Sequence, residues 1–290
     1  MPTRININGV ITEPEEAQEA REAKISVLDH GLLFGDSVYE TLRTYEGKPF
    51  LFSRHFARLE HSANAILLRL PWTKSRTLDE IRRTCVPGEC RIRVLITRGV
   101  GELSANLETC VDPTVIIIVV PLVPPPEEIY TEGVDVVIST VRRSGWLADI
   151  KTGNLIHQVM ARHEADAKHA YEAILLTADE KLSDGITSNI YMVRDGKVLT
   201  PAHEAGIVEG ITRGVVLELA RDIGLDVVEG FFDAADIASA DEMFLTSSSR
   251  QVVPIARVDG APVGRGKPGS VTLKLLNAYR AALPRLMAED

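Results

Sequence analysis

Lys151 lies at a position where a lysine side chain could take part in chemistry. It follows the apolar residue Ile150 and leads through Thr-Gly-Asn into an amphipathic run that begins at Leu155. Most lysines keep their ammonium in water, so an exposed lysine ahead of a helix is the more common case. A lysine held in a pocket would instead be partly desolvated, and its amine could form a Schiff base with an aldehyde or a carbonyl substrate.

Three further segments carry groups that bind phosphate or another anion. In "IVEGITRGVV", Gly210 permits a close backbone approach, and the helix after it offers free N–H groups and the Thr212 hydroxyl. Residues 246–249 in "FLTSSSRQVVP" are four successive hydroxyl residues. Arg58 in "FARLEHSA" has the bidentate guanidinium that suits a phosphate. Each also has a plainer interpretation, respectively an ordinary helix start, a polar turn and a surface ion pair within the helix.

A carboxylate completes this set of groups. Asp184 precedes a glycine in "KLSDGITSNIYMV", where it could be a turn residue or could face a protonated ring nitrogen. None of the five groups is specific by itself. Together they are an amine, an arginine, a helix N-terminus, a hydroxyl turn and a carboxylate. Pyridoxal phosphate needs such a set for its aldehyde, its phosphate and its ring nitrogen.

Alternating strands and helices must position these groups. Asn-Gly in "RININGVI" and Asp195-Gly196 in "SNIYMVRDGKVLTP" predict hairpins. Apolar residues at helical spacing predict helices over residues 53–70, with Ser53 as the N-cap, and over residues 154–170. The apolar run "PTVIIIVVPL" predicts a strand that is buried on both faces. We therefore expect an α/β protein.

The length of the chain favours two domains. Its 290 residues are 45% hydrophobic, which is enough for a sizeable core. The three consecutive prolines in "VPPPEEIYTEG" form a stiff connection. We therefore expect a linker at residues 121–130, between a small domain over residues 1–120 and a larger one over residues 131–290.

Charge and cysteine content restrict the partners. The net charge is −9 and the isoelectric point is near 5.4, which argues against a nucleic-acid surface or binding to anionic membranes. No apolar run reaches the roughly 18 residues of a transmembrane helix, and the N-terminus lacks a signal-peptide core. The three cysteines include no CxxC pair, so we expect no disulfide framework, no metal site and a cytoplasmic location.

Eight segments, in this order, resemble the fold-type IV pyridoxal-phosphate enzymes. That family contains branched-chain aminotransferases, D-amino-acid aminotransferases, (R)-selective amine transaminases and aminodeoxychorismate lyases. The segments are "DHGLLFGDSVYETLR", "HFARLEHSA", "RIRVLITRG", "DIKTGNL", "EAILL", "LSDGITSNIYMV", "GIVEGITRGVV" and "DEMFLTSSSRQVVPI". They cover nearly the whole chain and are highly specific as a set. The resemblance implies a small α+β N-terminal domain, a larger mixed α/β C-terminal domain, and the cofactor between them. It also implies a homodimer or a higher homo-oligomer whose active sites borrow residues from a partner subunit.

The resemblance also implies roles for individual residues. Lys151 falls at the position of the Schiff-base lysine, Arg58 at that of the phosphate-binding arginine, and Val208 where a leucine usually packs on the ring. The implied cofactor-binding residues are Arg58, Lys151, Asp184, Val208, Gly210, Ile211, Thr212 and Ser248. The implied substrate-binding residues are Phe34, Tyr39, Arg91, Arg93 and Ser249.

The chain departs from the family pattern at three positions. Asp184 stands where the family usually has glutamate, which affects the contact with the ring nitrogen. Arg91 replaces a tyrosine typical of branched-chain enzymes, and Leu155 replaces an aromatic residue. These last two departures concern the substrate rather than the cofactor.

The implied activity is transamination, in which an amino group passes from an amino acid through the cofactor to a 2-oxo acid. Branched-chain L-amino acids with 2-oxoglutarate are favoured, because Arg93 in "RIR" resembles the "YIR" of branched-chain enzymes. D-amino-acid or (R)-amine transamination is the alternative, and aminodeoxychorismate lyase is a third. A cofactor-binding protein without catalysis is a hypothesis of a different class. The configuration of the substrate stays open, since the same residues serve both configurations in this family.

Overall fold

The chain folds into two compact units. The computed structural model describes residues 3–13, 23–143 and 147–290. Of these residues, the first unit contains those up to Val123 together with Ile150–Asn154 and Arg285–Asp290, and the second contains the remainder from Pro124 onward. The first unit therefore includes two short segments, one of them carrying Lys151, that the expected division assigned to the larger domain.

The first unit contains a six-stranded antiparallel sheet. Its elements are β1 (Arg4–Ile7), β2 (Val10–Thr12), α1 (His30–Leu33), β3 (Ser37–Tyr45), β4 (Lys48–Pro49), α2 (Phe52–Ala65), α3 (Lys74–Thr84), β5 (Cys90–Thr97) and β6 (Thr114–Pro121). The strand order is β2-β1-β6-β5-β3-β4. The predicted Asn-Gly hairpin is confirmed, because Asn8 and Gly9 join β1 to β2 and both have positive φ.

One face of this sheet packs on α2 and α3. Alternate residues of β5 and β6, such as Ile92 and Ile117, meet Phe56 of α2 in a continuous core. On the opposite face of β6, Ile116 is buried but Ile118 and Val120 are only partly buried. The prediction of a strand buried on both faces therefore holds along the whole of β6 only on the side of the helices.

Helix α2 begins and ends differently from the prediction. Leu51 is its N-cap, in a left-handed conformation and without a side-chain cap, so the prediction of Ser53 as N-cap is wrong. The backbone N–H of Ser53 instead donates to Asp290 Oδ1 at 3.0 Å. The helix ends at Ala65 rather than at residue 70. A carboxylate so distant in the sequence cannot be inferred from the local capping pattern.

The second unit contains a nine-stranded mixed sheet. Its elements are α4 (Glu128–Thr131), β7 (Val134–Arg143), α5 (Ile156–Ala167), β8 (Glu172–Thr177), β9 (Leu182–Gly185), β10 (Asn189–Arg194), β11 (Lys197–Pro201), α6 (Ile211–Asp222), β12 (Val227–Gly230), β13 (Glu242–Ser247), β14 (Gln251–Val258), β15 (Ala261–Pro262) and α7 (Ser270–Met287). The order is β12-β11-β10-β13-β14-β7-β8-β9, and β15 pairs with β14. Strand β7 is parallel to β8 and β14, and β11 is parallel to β12.

The centre of this sheet is buried. Strands β10 and β13 are almost wholly buried, and Tyr191 stacks on Phe244 with ring centroids 4.3 Å apart. The predicted hairpin on Asp195 and Gly196 joins β10 to β11. These strands fix the ends of β9 and β13, which carry the carboxylate and the hydroxyl turn singled out in the sequence.

The helices of the second unit differ in length. Helix α5 covers Ile156–Ala167, which is shorter than the predicted 154–170, and the four-residue α4 lies mostly within the stretch predicted as a linker. Helix α7 is the longest of the chain's helices among the described residues. Within the described ranges, no helix combines the length and the apolar character needed to cross a membrane.

Candidate active site

Lys151 is held beside the first residues of β3. Its carbonyl accepts the N–H of Tyr39 at 3.0 Å, and its own N–H donates to Ser62 Oγ at 3.3 Å. Two residues on, Gly153 N–H donates to the carbonyl of Ser37 at 2.9 Å. The backbone around Lys151 is therefore fixed on both sides. The lysine is half-buried rather than a solvated residue ahead of a helix.

The Lys151 amine lies against the phenol of Tyr39. Its Nζ donates to the Tyr39 hydroxyl at 3.3 Å and lies 4.4 Å from the ring centroid. The Arg93 guanidinium lies 4.1 Å from the same centroid. Of the described residues, only Tyr39 accepts a hydrogen bond from this amine. Three predicted site residues thus meet in the first unit, and the amine has an aromatic hydroxyl rather than a carboxylate as its neighbour.

Arg58 is fixed by a buried carboxylate in the same unit. Its Nε and Nη2 both donate to Glu40 at 2.7 Å, which is the bidentate arrangement of a strong ion pair. The Glu40 side chain is 3% exposed and that of Arg58 is 13% exposed. His55 Nδ1 also contacts Glu40 Oε2 at 2.7 Å. Arg58 is thus not in the surface ion pair of the plainer interpretation, and its phosphate-binding role stays a prediction.

Burial and charge oppose each other at this cluster. Burial by itself would raise the pKa of Glu40, but the Arg58 charge and the hydrogen bonds from Arg58 and His55 hold that pKa far below its usual range. Burial lowers the pKa of His55 despite its contact with Glu40. At neutral pH the cluster therefore comprises a carboxylate, a guanidinium and a neutral imidazole.

The first unit also carries two other predicted substrate residues, Phe34 and Arg91. Phe34 follows the short helix α1 and is 43% exposed, with its ring edge-on to His30. Arg91 is exposed and pairs in register with Arg43 of β3. Since Arg91 and Arg93 are two apart on β5, they share a face of the sheet as predicted. Of these two arginines, Arg93 is the one whose guanidinium lies over the Tyr39 ring.

Asp184 is buried at the end of β9 in the second unit. Its Oδ1 accepts Asn189 Nδ2 and its Oδ2 accepts the N–H of Val208, both at 2.8 Å. Asn189 also donates to the Val208 carbonyl at 2.8 Å. The predicted cofactor residues Asp184 and Val208 are thus directly bonded, and one asparagine side chain braces both.

Burial dominates the electrostatics of this aspartate. Burial raises the pKa of Asp184, and the nearby Arg143 charge, the two hydrogen bonds and the Arg213 charge offset this only in part. Arg143 donates to the carbonyls of Ala148 and Gly206, and no carboxylate in the described ranges forms an ion pair with it. Asp184 is therefore a carboxylate whose negative charge is incompletely stabilised.

The start of helix α6 has the features of an anion site. Gly210 is the N-cap and no side-chain hydrogen bond caps the helix, so Ile211 and Thr212 begin it as predicted. A side chain at position 210 would overlap Asn189 Oδ1. The glycine therefore lets Asn189 occupy its place next to Asp184, and the first turn of α6 lies beside the Asp184 cluster.

The hydroxyl turn follows β13 as the sequence suggests. Thr246 is buried and its hydroxyl lies 3.2 Å from that of Tyr191, whereas Ser248 and Ser249 are half-buried. Arg250 closes the turn with a 3.0 Å hydrogen bond from its Nε to Ser247 Oγ. The second unit thus links the carboxylate to the hydroxyl turn through Asn189, which donates to Asp184 and pairs in register with Thr246.

Sequence reasoning missed Glu40, Asn189 and Arg250. Glu40 stands in "SVYETLR" beside the chosen Tyr39, Asn189 lies five residues after the chosen Asp184, and Arg250 follows the chosen hydroxyl run. Nothing in their local sequence distinguishes them from ordinary strand or turn residues. A search for a buried carboxylate to partner Arg58 would have been the only signal for Glu40.

A family model described as amino-transferase class IV matches residues 37–258 of the chain. This range begins just before Tyr39 and extends past Ser249. It therefore includes the lysine, arginine and carboxylate described above.

Two relatives and two solved structures agree with this match. A Methanocaldococcus jannaschii protein, provisionally assigned as a branched-chain-amino-acid aminotransferase, is 34% identical over 268 residues, which is 90% of this chain and 92% of that protein. A Staphylococcus haemolyticus D-alanine aminotransferase is 33% identical and covers 96% of both chains. The solved branched-chain amino acid aminotransferase of Escherichia coli has a TM-score of 0.88 at 27% identity, over 98% of this chain and 95% of that one. The T.th. branched-chain amino acid aminotransferase, solved with pyridoxamine 5'-phosphate, has a TM-score of 0.88 at 29% identity, over 100% of this chain and 96% of that one.

Proposed function

The chain belongs to the class IV aminotransferase family, and from this we propose that Lys151 is the residue through which it carries out transamination. The chain is a pyridoxal-phosphate-dependent aminotransferase, as the enzymes of this class are. The observation that carries the proposed role of Lys151 is the position of its amine, bonded to the Tyr39 phenol and to no other described residue. An amine without a carboxylate partner is available to a carbonyl group.

The residues present suit the cofactor. When bound, pyridoxal phosphate supplies an aldehyde, an electron-withdrawing ring and a dianionic phosphate. Asp184, buried and incompletely stabilised, suits a protonated ring nitrogen. The uncapped start of α6, at Gly210, Ile211 and Thr212, suits a phosphate. Arg58 and Ser248 are the further phosphate-binding residues of this proposal.

Each residue has a distinct task in the proposed mechanism. Lys151 would hold the cofactor aldehyde through its amine, and its Nζ, when free, would take the proton from the substrate α-carbon. Tyr39 keeps that Nζ in place through the 3.3 Å hydrogen bond. Asp184 would keep the proton on the ring nitrogen, and Val208 would pack against the ring.

We propose branched-chain L-amino acids as donors and 2-oxoglutarate as acceptor. Arg93, fixed over the Tyr39 ring, offers a guanidinium for a carboxylate. Arg91 on the same face offers a second one, which would suit a dicarboxylate acceptor. Phe34 and Ser249 are the other proposed substrate contacts. The second candidate is D-amino-acid transamination, which the 33% identity to a D-alanine aminotransferase favours.

One experiment tests the role of Lys151 and distinguishes the two substrate candidates. Lys151→Ala should reduce transamination by at least about a thousandfold, because no other described amine is placed to move the proton. Borohydride reduction of the wild-type protein with its cofactor, followed by peptide mapping, should label Lys151 alone. Label on another lysine, or substantial turnover by the variant, would refute the proposal. Wild-type rates with L- and D-amino acids and with (R)- and (S)-1-phenylethylamine then decide the substrate.

We also propose a homodimer. An apolar patch is exposed on the first unit, where Gly101 N–H donates to the Leu28 carbonyl at 3.2 Å and joins two segments. The exposed residues of this patch are Val27, Leu28, Leu32, Phe34, Val100, Leu103, Leu107 and Val111. Exposed apolar residues concentrated in two joined segments are typical of an interaction site, and a second copy of the chain is the partner proposed for it. A cytoplasmic location is proposed on the odd cysteine number alone.

The interface can be tested by sedimentation velocity. The double variant Val27→Glu and Leu103→Glu should convert the dimer to a monomer, because two buried carboxylates would be left unpaired. Val123→Glu, at a similarly exposed valine outside the patch, is the matched control and should leave the dimer intact. A dimer that survives the double variant, or a wild-type monomer, would show that the patch has another role.

A further inference from the structure

Arg250 contacts three separate parts of the second unit. Its Nη1 donates to Glu172 Oε2 at 2.6 Å, its Nη2 to Thr187 Oγ1 at 2.7 Å and its Nε to Ser247 Oγ at 3.0 Å. Each guanidinium nitrogen therefore has a different partner. The planar, rigid guanidinium sets the spacing between these three partners.

The partners of Arg250 are themselves well held. The Glu172 side chain is only 2% exposed, and its Oε1 accepts the N–H of Thr187 at 3.2 Å. Burial lowers the pKa of Arg250, but the Glu172 and Tyr171 charges and the hydrogen bonds to both residues together outweigh it, so that the net pKa is raised and the guanidinium stays charged. The Tyr130 hydroxyl donates to the Arg250 carbonyl at 3.0 Å and fixes the backbone as well.

These contacts join the hydroxyl turn, which carries the proposed cofactor residue Ser248, to the loop that follows Asp184. Ser247 lies within the hydroxyl turn of residues 246–249, which contains Ser248. Thr187 lies three residues after Asp184, in the loop that links β9 to β10. Beyond the last register pair of β10 and β13, at Asn189 and Thr246, no backbone hydrogen bond connects the two loops among the described residues. The Arg250 side chain is therefore the direct brace between them.

We propose that Arg250 is a positioning residue that holds the hydroxyl turn in the form that binds the cofactor phosphate. The proposal rests on the function given above. Arg250 acts through Ser247 and the turn, since all three of its nitrogens are engaged by protein groups. Its loss should therefore weaken the phosphate contact more than the attachment of the aldehyde to Lys151.

Two ligands separate this role from general stabilisation. Pyridoxal phosphate and pyridoxal share the aldehyde and the ring, but only the first has a phosphate. Arg250→Lys keeps the charge but replaces the guanidinium, which binds three partners, with a single ammonium. In the full chain freed of cofactor, the dissociation constant of this variant for pyridoxal phosphate should rise about tenfold, which is the effect of one lost charge-assisted hydrogen bond. Its dissociation constant for pyridoxal should rise by less than about threefold.

A matched control is available in the same unit. Arg142 forms a bidentate pair with Glu180 at 2.7 and 2.9 Å, far along the chain from both loops. Arg142→Lys should change both dissociation constants by less than about twofold, because its pair is exposed at the surface. If Arg250→Lys behaves like this control, or weakens both ligands equally, Arg250 does not position the phosphate-binding turn.

A milder variant guards against loss of folding. Thr187→Val preserves shape and removes only the hydroxyl that accepts from Nη2, so the dissociation constant for pyridoxal phosphate should rise about threefold. An unchanged constant would overturn the brace between the loops. A wild-type protein that forms no chromophore with pyridoxal phosphate would instead refute the proposed function. The two failures are therefore distinguishable.

Discussion

Two buried carboxylates, one in each unit, have opposite surroundings. Glu40 in β3 accepts two hydrogen bonds from the Arg58 guanidinium at 2.7 Å and contacts the His55 imidazole at the same distance. Among the described residues, the direct partners of Asp184 in β9 are an amide and a backbone N–H. The surroundings lower the pKa of Glu40 and raise that of Asp184. Both are almost wholly inaccessible to water. Burial raises the pKa of each, and the two shifts differ in sign because the partners of Glu40 outweigh burial whereas those of Asp184 do not.

This difference assigns a structural role to the Glu40 charge and a ligand-binding role to the Asp184 charge. The Glu40 charge is neutralised within the protein, and its removal would leave Arg58 buried without its counter-ion. The Asp184 charge remains incompletely stabilised, so a positively charged group that arrives beside it gains more than it would beside Glu40. Perturbed carboxylates of this second kind are typical of functional sites.

The largest expected effect on stability is at Glu40. Glu40→Gln removes the charge that compensates Arg58, so the free energy of unfolding at pH 7 should fall by about 3–5 kcal/mol. Urea unfolding of wild type and variant, both without cofactor, measures this difference. A loss below about 1 kcal/mol would mean that Glu40 and Arg58 behave as an exposed pair.

The pH dependence of that loss follows from the lowered pKa of Glu40. Its stabilising contribution is present above the ordinary glutamate pKa of 4.5 and disappears as the pH falls toward the lower folded-state value. The gap between wild type and Glu40→Gln should therefore be full at pH 7 and should narrow below pH 4.5. A gap that widens on acidification would contradict the assignment of a lowered pKa.

Asp184→Asn should have the opposite balance between activity and stability. Turnover should fall by about a hundredfold to a thousandfold, the usual effect of removing a fixed electrostatic partner of the reacting system. The free energy of unfolding should change by less than about 1.5 kcal/mol, because loss of an acceptor is offset by loss of an incompletely stabilised charge. Steady-state kinetics and urea unfolding on the same preparations give both numbers.

The raised pKa of Asp184 predicts a dependence of stability on pH opposite to that predicted for Glu40. A raised folded-state pKa contributes stability at low pH that is lost as the pH rises through it. The stability of Asp184→Asn relative to wild type should therefore improve from about pH 4 to pH 7, whereas that of Glu40→Gln should worsen. Parallel trends for the two variants would remove the distinction between the two carboxylates.

The sequence predicted more of the elements than of their contacts. The hairpins at Asn8-Gly9 and Asp195-Gly196 were predictable because Asn-Gly and Asp-Gly have strong local turn preferences. The start of α6 at Ile211 was predictable for the same reason, since a glycine precedes an amphipathic run. The missed cap of α2 shows the limit, because Asp290 meets Ser53 only through the tertiary fold.

The same limit applies to the candidate site. Lys151, Asp184 and the hydroxyl turn could be singled out by residue type and by resemblance to a family. Their partners could not, because Asn189 is an ordinary strand residue until the fold sets it against Gly210. Residue type therefore indicates which groups could react. Tertiary packing decides which of their charges are stabilised within the protein and which are only incompletely stabilised.

The smallest expected effect concerns Asn189, which sharpens the comparison by altering only the surroundings of Asp184. Its hydrogen bond lowers the pKa of Asp184, so Asn189→Ala should raise that pKa further and move the acid limb of the pH–activity profile to higher pH. At the pH optimum, turnover should fall by less than about tenfold, since the carboxylate itself remains.

Thr200→Val is the matched control, because Thr200 is also buried and donates one hydrogen bond, to the Ile190 carbonyl, without contact with Asp184. Each variant should lose about 1–2 kcal/mol of unfolding free energy, but only Asn189→Ala should shift the acid limb. An acid limb that stays in place in both variants would show that the titration of Asp184 does not govern activity, and its raised pKa would then reflect burial alone.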